Sequence, residues 1–173
     1  MEGTYRRNDE NEIIVTTPTT RYAVQHLLHI GTDFEVDVTM ETSRENLRIG
    51  GAGIHFSNQT FNLKNWSTCH VRELDSGVRQ CKIANHQYSS YLKETIPTSD
   101  ETKISLTCHL DRWRVSINDT PIHKGSVKLK KSHLYPDSCL CLGGWRSMPG
   151  DDFELTYRSL KIRKLDPPDK NDI

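Results

Sequence analysis

The chain has 173 residues, with 23 Lys plus Arg against 23 Asp plus Glu, so its formal charge is zero at neutral pH. That length suits one domain, and the balance of charge excludes the broad basic footprint of a nucleic-acid binder and the clustered Lys and Arg of an anionic-membrane binder. No run approaches the roughly 18–20 apolar residues of a membrane span, and the polar first dozen residues hold no apolar leader core, which points to cytosolic residence or to a domain excised from a longer chain.

Residues 1–11 read as a flexible lead-in, and Glu12–Thr17 as the first strand. Tyr22–His29 stays open between strand and helix, because Tyr22, Gln25, Leu28 and His29 share a helical face. In Asp33–Thr42, Phe34, Val36, Val38 and Met40 alternate with Glu35, Asp37, Thr39 and Glu41, the pattern of a half-buried strand. Leu47–Ser57, Phe61–Asn65, His70–Leu74, Val78–Ile83 and Ser90–Ile96 follow as candidate strands. Residues 102–110 repeat the alternation with Ile104, Leu106, Cys108 and Leu110, and Asp111-Arg112 turns the chain. Trp113, Val115 and Ile117 resume the apolar face, Asn118-Asp119 makes the next turn, and Pro121–Leu129 reads as a short strand. Ser138–Gly143 is apolar on both parities, as a central strand covered on both faces would be. In the last run Phe153, Leu155 and Tyr157 share one parity and Leu160 and Ile162 the other, so a β-bulge is expected near Arg158-Ser159. Residues 166–173, with Pro167-Pro168, read as a frayed tail. Many short strands between turn residues define a single all-β unit over 12–165, a sandwich or barrel.

The five cysteines, Cys69, Cys81, Cys108, Cys139 and Cys141, are odd in number and irregular in spacing, so buried free thiols are the expectation, with a disulfide or two open if the chain is secreted. Three Asn-x-Ser/Thr tripeptides, starting at Asn58, Asn65 and Asn118, pull towards a secretory setting while the absent leader pulls away, which leaves the compartment open. Lys128-Leu129-Lys130-Lys131 reads as a solvated strand end. The eight histidines have no fixed metal-ligand spacing, and His26 and His29 would point to opposite sides of a strand, so no metal is expected, nor any other cofactor.

Three stretches together resemble the concanavalin A-like lectin and glucanase superfamily, in the flavour of laminin G-like domains and of the keto-disaccharide hydrolase sandwich. Asp33-Phe34-Glu35-Val36-Asp37-Val38 precedes the glycine-rich entry Gly50-Gly51-Ala52-Gly53-Ile54-His55-Phe56. Trp113-Arg114-Val115-Ser116-Ile117-Asn118-Asp119 resembles the family's hairpin, with Asn118-Asp119 where a glycine is usual. Leu140-Cys141-Leu142-Gly143-Gly144 with Phe153–Leu165 resembles its closing strand pair. The resemblance implies a two-sheet antiparallel jelly roll. Neither the lectins' calcium-binding Asp and Asn cluster nor the glucanases' Glu-x-Asp-x-x-Glu run is found.

Catalytic signals are thin. Glu35, Asp37 and Glu41 alternate along one strand and could supply a glycosidase pair, but a charged strand edge accounts for them; Asp151-Asp152 reads as turn chemistry. Aromatic side chains near turns with polar neighbours suit glycan binding, since sugar C–H faces stack on rings while polar groups bond the rim. The candidate ligand-binding set is Trp145 and Arg146, read as lying in a Gly143–Gly150 loop, with Trp66, His86 and Tyr88, and Arg48, His55 and Asn58 from the glycine-rich strand. Trp113 shares parity with Val115 and Ile117 and is assigned to the core. The resulting expectation is a non-catalytic module that binds a glycan or glycoprotein, with a protein-interaction module and a glycoside hydrolase as alternatives.

Overall fold

The alternation of apolar and polar side chains gives each strand an inner and an outer face, and in the computed structural model these strands stack as two antiparallel sheets. The structure describes residues 4–17, 22–41, 47, 50–57, 66–85, 90–96, 99–109, 112–122, 127–128, 139–146 and 153–166. Sheet A runs in the order β1 (Thr4–Arg7), β2 (Ile13–Thr17), β14 (Phe153–Lys164), β4 (Asp33–Glu41), β9 (Glu101–His109), β10 (Arg112–Ile117) and β11 (Thr120–Pro121), with β12 (Val127–Lys128) also paired to β10. Sheet B runs β3 (Tyr22–His29), β13 (Cys139–Arg146), β5 (Gly50–Ser57), β6 (Trp66–Glu73), β7 (Arg79–Asn85) and β8 (Ser90–Glu94).

The core lies between the sheets. Phe34, Val36, Val38 and Met40 of β4, Ile104, Leu106 and Cys108 of β9, and Trp113, Val115 and Ile117 of β10 enter it from sheet A. Ile54, Phe56, Cys69, Val71, Cys81, Ile83, Leu140 and Leu142 enter it from sheet B. Trp113 is fully buried and meets the Phe56 ring edge-on at 5.4 Å, while Phe56 tilts against Phe34 at 5.2 Å. This aromatic trio joins the sheets, and edge-to-face pairs of this kind add stability beyond the area they bury.

Several expectations are met in detail. The bulge falls where the parity changes: Tyr157 pairs with Met40 and Ser159 with Thr39, leaving Arg158 as the extra residue. Its guanidinium pairs with Glu12, Glu41 and Glu101 on the exposed side of sheet A. Asn118 and Asp119 have φ of 48° and 61°, the left-handed pair that a two-residue hairpin requires, and Ile117 faces Thr120 across the turn. β13 lies between β3 and β5, and Cys139, Leu140, Cys141 and Leu142 are all buried. All five cysteines are buried free thiols.

Tyr22–His29, ambiguous between strand and helix, is a strand with the bounds read from sequence and forms the end strand of sheet B beside β13. Other expectations are corrected. Thr4–Arg7, within the segment read as flexible, forms the end strand of sheet A; its side chains are exposed, so no alternation marked it. Arg112 belongs to β10 opposite His109 rather than to the turn, and Pro121–Leu129 contributes two short pieces rather than one strand. The candidate strand Phe61–Asn65 and residues 167–173 lie outside the described residues.

One side chain ties the two sheets by hydrogen bonds. The Tyr157 hydroxyl of β14 crosses the core to the paired residues Gly53 of β5 and Gly143 of β13. It accepts from the Gly143 N–H at 2.9 Å and faces the carbonyl oxygens of Gly53 and Gly143, each at 2.9 Å, to which it can donate. Burial pushes this phenol far above the usual tyrosine range, so it stays protonated and able to donate. Backbone crowding explains the glycines here: a Cβ on Gly53 would stand 2.2 Å from the Cys69 carbonyl oxygen, and one on Gly144 2.4 Å from that of Gly51. Tyr157→Phe should therefore cost about 1–3 kcal/mol in urea unfolding, because it strips the partner from buried backbone groups. Gly53→Ala should cost more, since backbone and not a flexible side chain must give way; wild-type stability in either variant would contradict this account.

Candidate functional site

Strand pairing sets the outer face of sheet B row by row, because directly opposed residues share a face. With Ile54, Phe56, Cys69, Val71, Cys81 and Ile83 in the core, the alternate residues face away from it. One transverse row follows the register Gly51, Arg72, Gln80 and Glu94, with Trp145 paired to Gly51 and Tyr22 to Trp145. The next row is Gly143, Gly53, His70, Lys82 and Leu92. A third is Cys141, His55, Thr68, Ala84 and Ser90, and a fourth pairs Cys139, Ser57 and Trp66.

This face is polar yet largely buried. His55, His70, Thr68 and Gln80 are buried, while Arg72 and Lys82 are half-buried. Arg72 Nε donates to Gln80 Oε1 at 3.0 Å, and Thr68 Oγ1 donates to the Ile54 carbonyl at 3.2 Å while lying 3.4 Å from His70 Nδ1. The His55 imidazole bonds the Gly143 backbone, and its Nε2 is buried with no hydrogen-bond partner among the described residues. Gly51 and Gly53 interrupt the side chains between β13 and β6, leaving backbone at the middle of the face.

Of the residues picked from sequence, His55 lies at the centre of this face. Trp145 and Arg146 are not in a loop: β13 runs through both, opposite Gly51 and Gly50, and Gly144 marks close backbone approach inside that strand. Trp66 opens β6 opposite Ser57. Arg48, Asn58, His86 and Tyr88, and also Asp151 and Asp152, lie outside the described residues. Sequence reasoning missed Thr68, His70, Arg72, Gln80 and Lys82, although their alternation with Cys69, Val71, Cys81 and Ile83 was readable.

The carboxylates weighed for catalysis sit elsewhere. Glu35 and Glu41 lie on the outer side of sheet A, where Glu35 pairs with Arg163 at 2.6 Å and Glu41 with Arg158. Their strand, β4, lies between β14 and β9 and so is not an edge. A register shift between Leu140 and Cys141 sets His26 opposite Cys141 and His29 opposite Cys139. Among the described residues no group of three or more His, Cys, Asp or Glu side chains could hold a metal ion.

Burial holds both histidines neutral. His55 is lowered to about 4 by desolvation, against the bond to Gly143. His70 is lowered to about 3 by desolvation first, then by the positive charges of neighbouring His55, Lys82 and Arg72. An unfolded chain titrates its histidines near 6.5, so between about pH 6.5 and 4 it binds protons that the folded chain refuses. Stability is therefore full above about pH 6.5 and should fall on acidification, by up to about 1.4 kcal/mol per pH unit for each histidine. Urea midpoints measured from pH 7 to 4.5 should show this slope, and His70→Gln should flatten it; a wild-type midpoint indifferent to pH in that window would contradict the assignment.

No family model matches the sequence, and no curated protein matches it. Solved structures do match in fold. Alginate lyase AlyC3 superposes with a TM-score of 0.67 at 11% identity, covering 92% of this chain and 77% of the lyase. The carbohydrate-binding module CBM66 from Bacillus subtilis gives 0.59 at 13% identity, covering 94% of this chain and 92% of the module. A glycoside hydrolase family 16 endo-glucanase from Bacteroides ovatus gives 0.64 at 10% identity, covering 93% of this chain and 85% of the enzyme. Two stacked antiparallel sheets, the strand order and these neighbours together identify the architecture as the concanavalin A-like jelly-roll sandwich.

Proposed function

We propose that this chain binds carbohydrate across the outer face of sheet B, without cleaving it. The observation that carries the reading is the set of buried and half-buried polar side chains His55, Thr68, His70, Arg72, Gln80 and Lys82 beside the side-chain-free Gly51 and Gly53. Sugars offer hydroxyls as donors and acceptors, and a site that pairs fixed polar groups with an apolar ring orients them. Arg72 and Lys82 supply donors only, Gln80 supplies both kinds, and the buried Nε2 of His55 is a neutral group that a hydroxyl would satisfy. Trp145, in the Arg72 row, is the proposed stacking ring. Trp66, Arg146, Arg48, Asn58, His86 and Tyr88 remain proposed ligand-binding residues from the sequence.

Proteins of the same fold whose names state carbohydrate chemistry support the substrate class: a binding module, lyases and an endo-glucanase. Binding alone is favoured over hydrolysis because the described side chains of this face include no pair of carboxylates at the spacing a glycosidase uses. A glycan array followed by calorimetry tests the reading. Arg72→Ala and Trp145→Ala should each weaken the best oligosaccharide at least about tenfold, some 1.4 kcal/mol. Arg163→Ala, on sheet A, should leave affinity unchanged. Absence of any glycan binding, or equal loss in the Arg163 variant, would sink the proposal, and shortened oligosaccharide after incubation would overturn its non-catalytic half.

A further inference from the structure

Among the described residues, one pair of thiols lies sulfur against sulfur: Cys69 Sγ is 3.8 Å from Cys81 Sγ. Cys69 belongs to β6 and Cys81 to β7, and the register opposes Cys69 to Ile83 and Val71 to Cys81. The two are therefore diagonal neighbours on the core-facing side, within cross-strand reach. The tight turn between the strands holds this alignment, with Leu74 N–H donating to Val78 O at 2.9 Å and Gly77 N–H to Leu74 O at 2.8 Å. The remaining cysteines are engaged differently. Cys139 Sγ lies 3.4 Å from His29 Nδ1, Cys141 Sγ lies 3.7 Å from the Cys139 carbonyl, and Cys108 is on β9 of the opposite sheet.

We infer that Cys69 and Cys81 are a disulfide-forming site, which a small-molecule disulfide such as oxidised glutathione converts into a covalent rung between β6 and β7. Closing the bond needs the sulfurs to approach from 3.8 Å to about 2.05 Å, and because diagonal neighbours start wider apart than directly opposed ones, β6 and β7 must draw together locally as the side chains turn. The chemistry is thiol–disulfide exchange. One cysteine thiolate attacks the glutathione disulfide, forms a mixed disulfide and expels a glutathione thiolate. The second cysteine thiolate then attacks the protein sulfur of that mixed disulfide and expels the other. Two S–H bonds are lost, one protein S–S bond forms, and two electrons and two protons leave on two molecules of reduced glutathione.

Burial decides when this happens. Both sulfurs are fully buried. The hydrogen bond with Cys81 and then burial push the Cys69 thiol well up, so little thiolate forms in the closed fold. Exchange therefore proceeds during folding or when the β6–β7–β8 end of sheet B opens, and the closed sandwich protects whichever state was reached. Between the two cysteines the register opposes His70 to Lys82 on the outer face, so the rung stiffens the strand pair beneath those residues. The inference stands on the thiol geometry and is independent of what that face binds.

The test is to refold reduced full-length chain in a glutathione redox buffer, quench it in acid and count thiols after denaturation. The expected count falls from five to three. Peptide mapping without reductant should show Cys69 joined to Cys81. Cys139→Ser, which spares the pair, should fall from four thiols to two, while Cys69→Ser and Cys81→Ser should each keep four. Oxidised chain should melt higher than reduced chain by about 5–10 °C. Five persistent thiols, a link through any other cysteine, glutathione adducts without the internal link, or no rise in melting temperature would each overturn the inference.

Discussion

The contact on which the rest of this structure depends is the Tyr157 hydroxyl against the Gly53–Gly143 pair. Hydrophobic burial alone would hold two sheets together in many offsets, because it is non-directional. A phenol that must meet two particular backbone groups in the interior selects one of them. The same contact explains the sequence around it. Strands β5 and β13 run so close to their neighbours that a single methyl at position 53 or 144 would collide with backbone. Glycine is thus required by proximity on both sides of the phenol.

That constraint carries through to the outer face. The backbone of Gly143 receives Tyr157 from the core side and His55 from the outer side, so one residue couples the inter-sheet tie to the polar floor. Across the floor, register does the remaining work. Because β5, β6 and β7 pair antiparallel without a shift, His70 meets Lys82 and Arg72 meets Gln80, and the Arg72–Gln80 hydrogen bond is made within one row. The proposed site is built on strands rather than on loops, which fixes its groups more firmly. Its two histidines are held neutral by the same burial that fixes them, and that burial makes the fold sensitive to acid.

Much of the fold was legible because period two is a direct readout of which side is wet. Phe34 to Met40, Ile104 to Cys108 and Trp113 to Ile117 alternate cleanly, and all of them enter the core. The change of parity after Tyr157 located the bulge, since one extra residue inverts every side chain beyond it. The candidate site was less legible, for a physical reason. Gly143 and Gly144 look the same in sequence whether they loosen a loop or lie within a strand, and here both lie in β13, with Gly144 crowded against the Gly51 backbone. Trp145 was therefore assigned to a loop although it continues β13. Thr68, His70, Arg72, Gln80 and Lys82 carry no motif; what unites them is cross-strand register, which sets His70 against Lys82 and Arg72 against Gln80 only once the hairpin closes.

The central claim is that ligand lies on the outer face of sheet B. Backbone amide shifts of isotope-labelled protein, followed as an oligosaccharide is added, address it residue by residue. The account predicts shifts concentrated at Gly51, Gly53, His70, Arg72, Gln80, Lys82 and Trp145. Shifts confined to sheet A, around β4 and β9, or a spectrum untouched by every oligosaccharide offered, would contradict it.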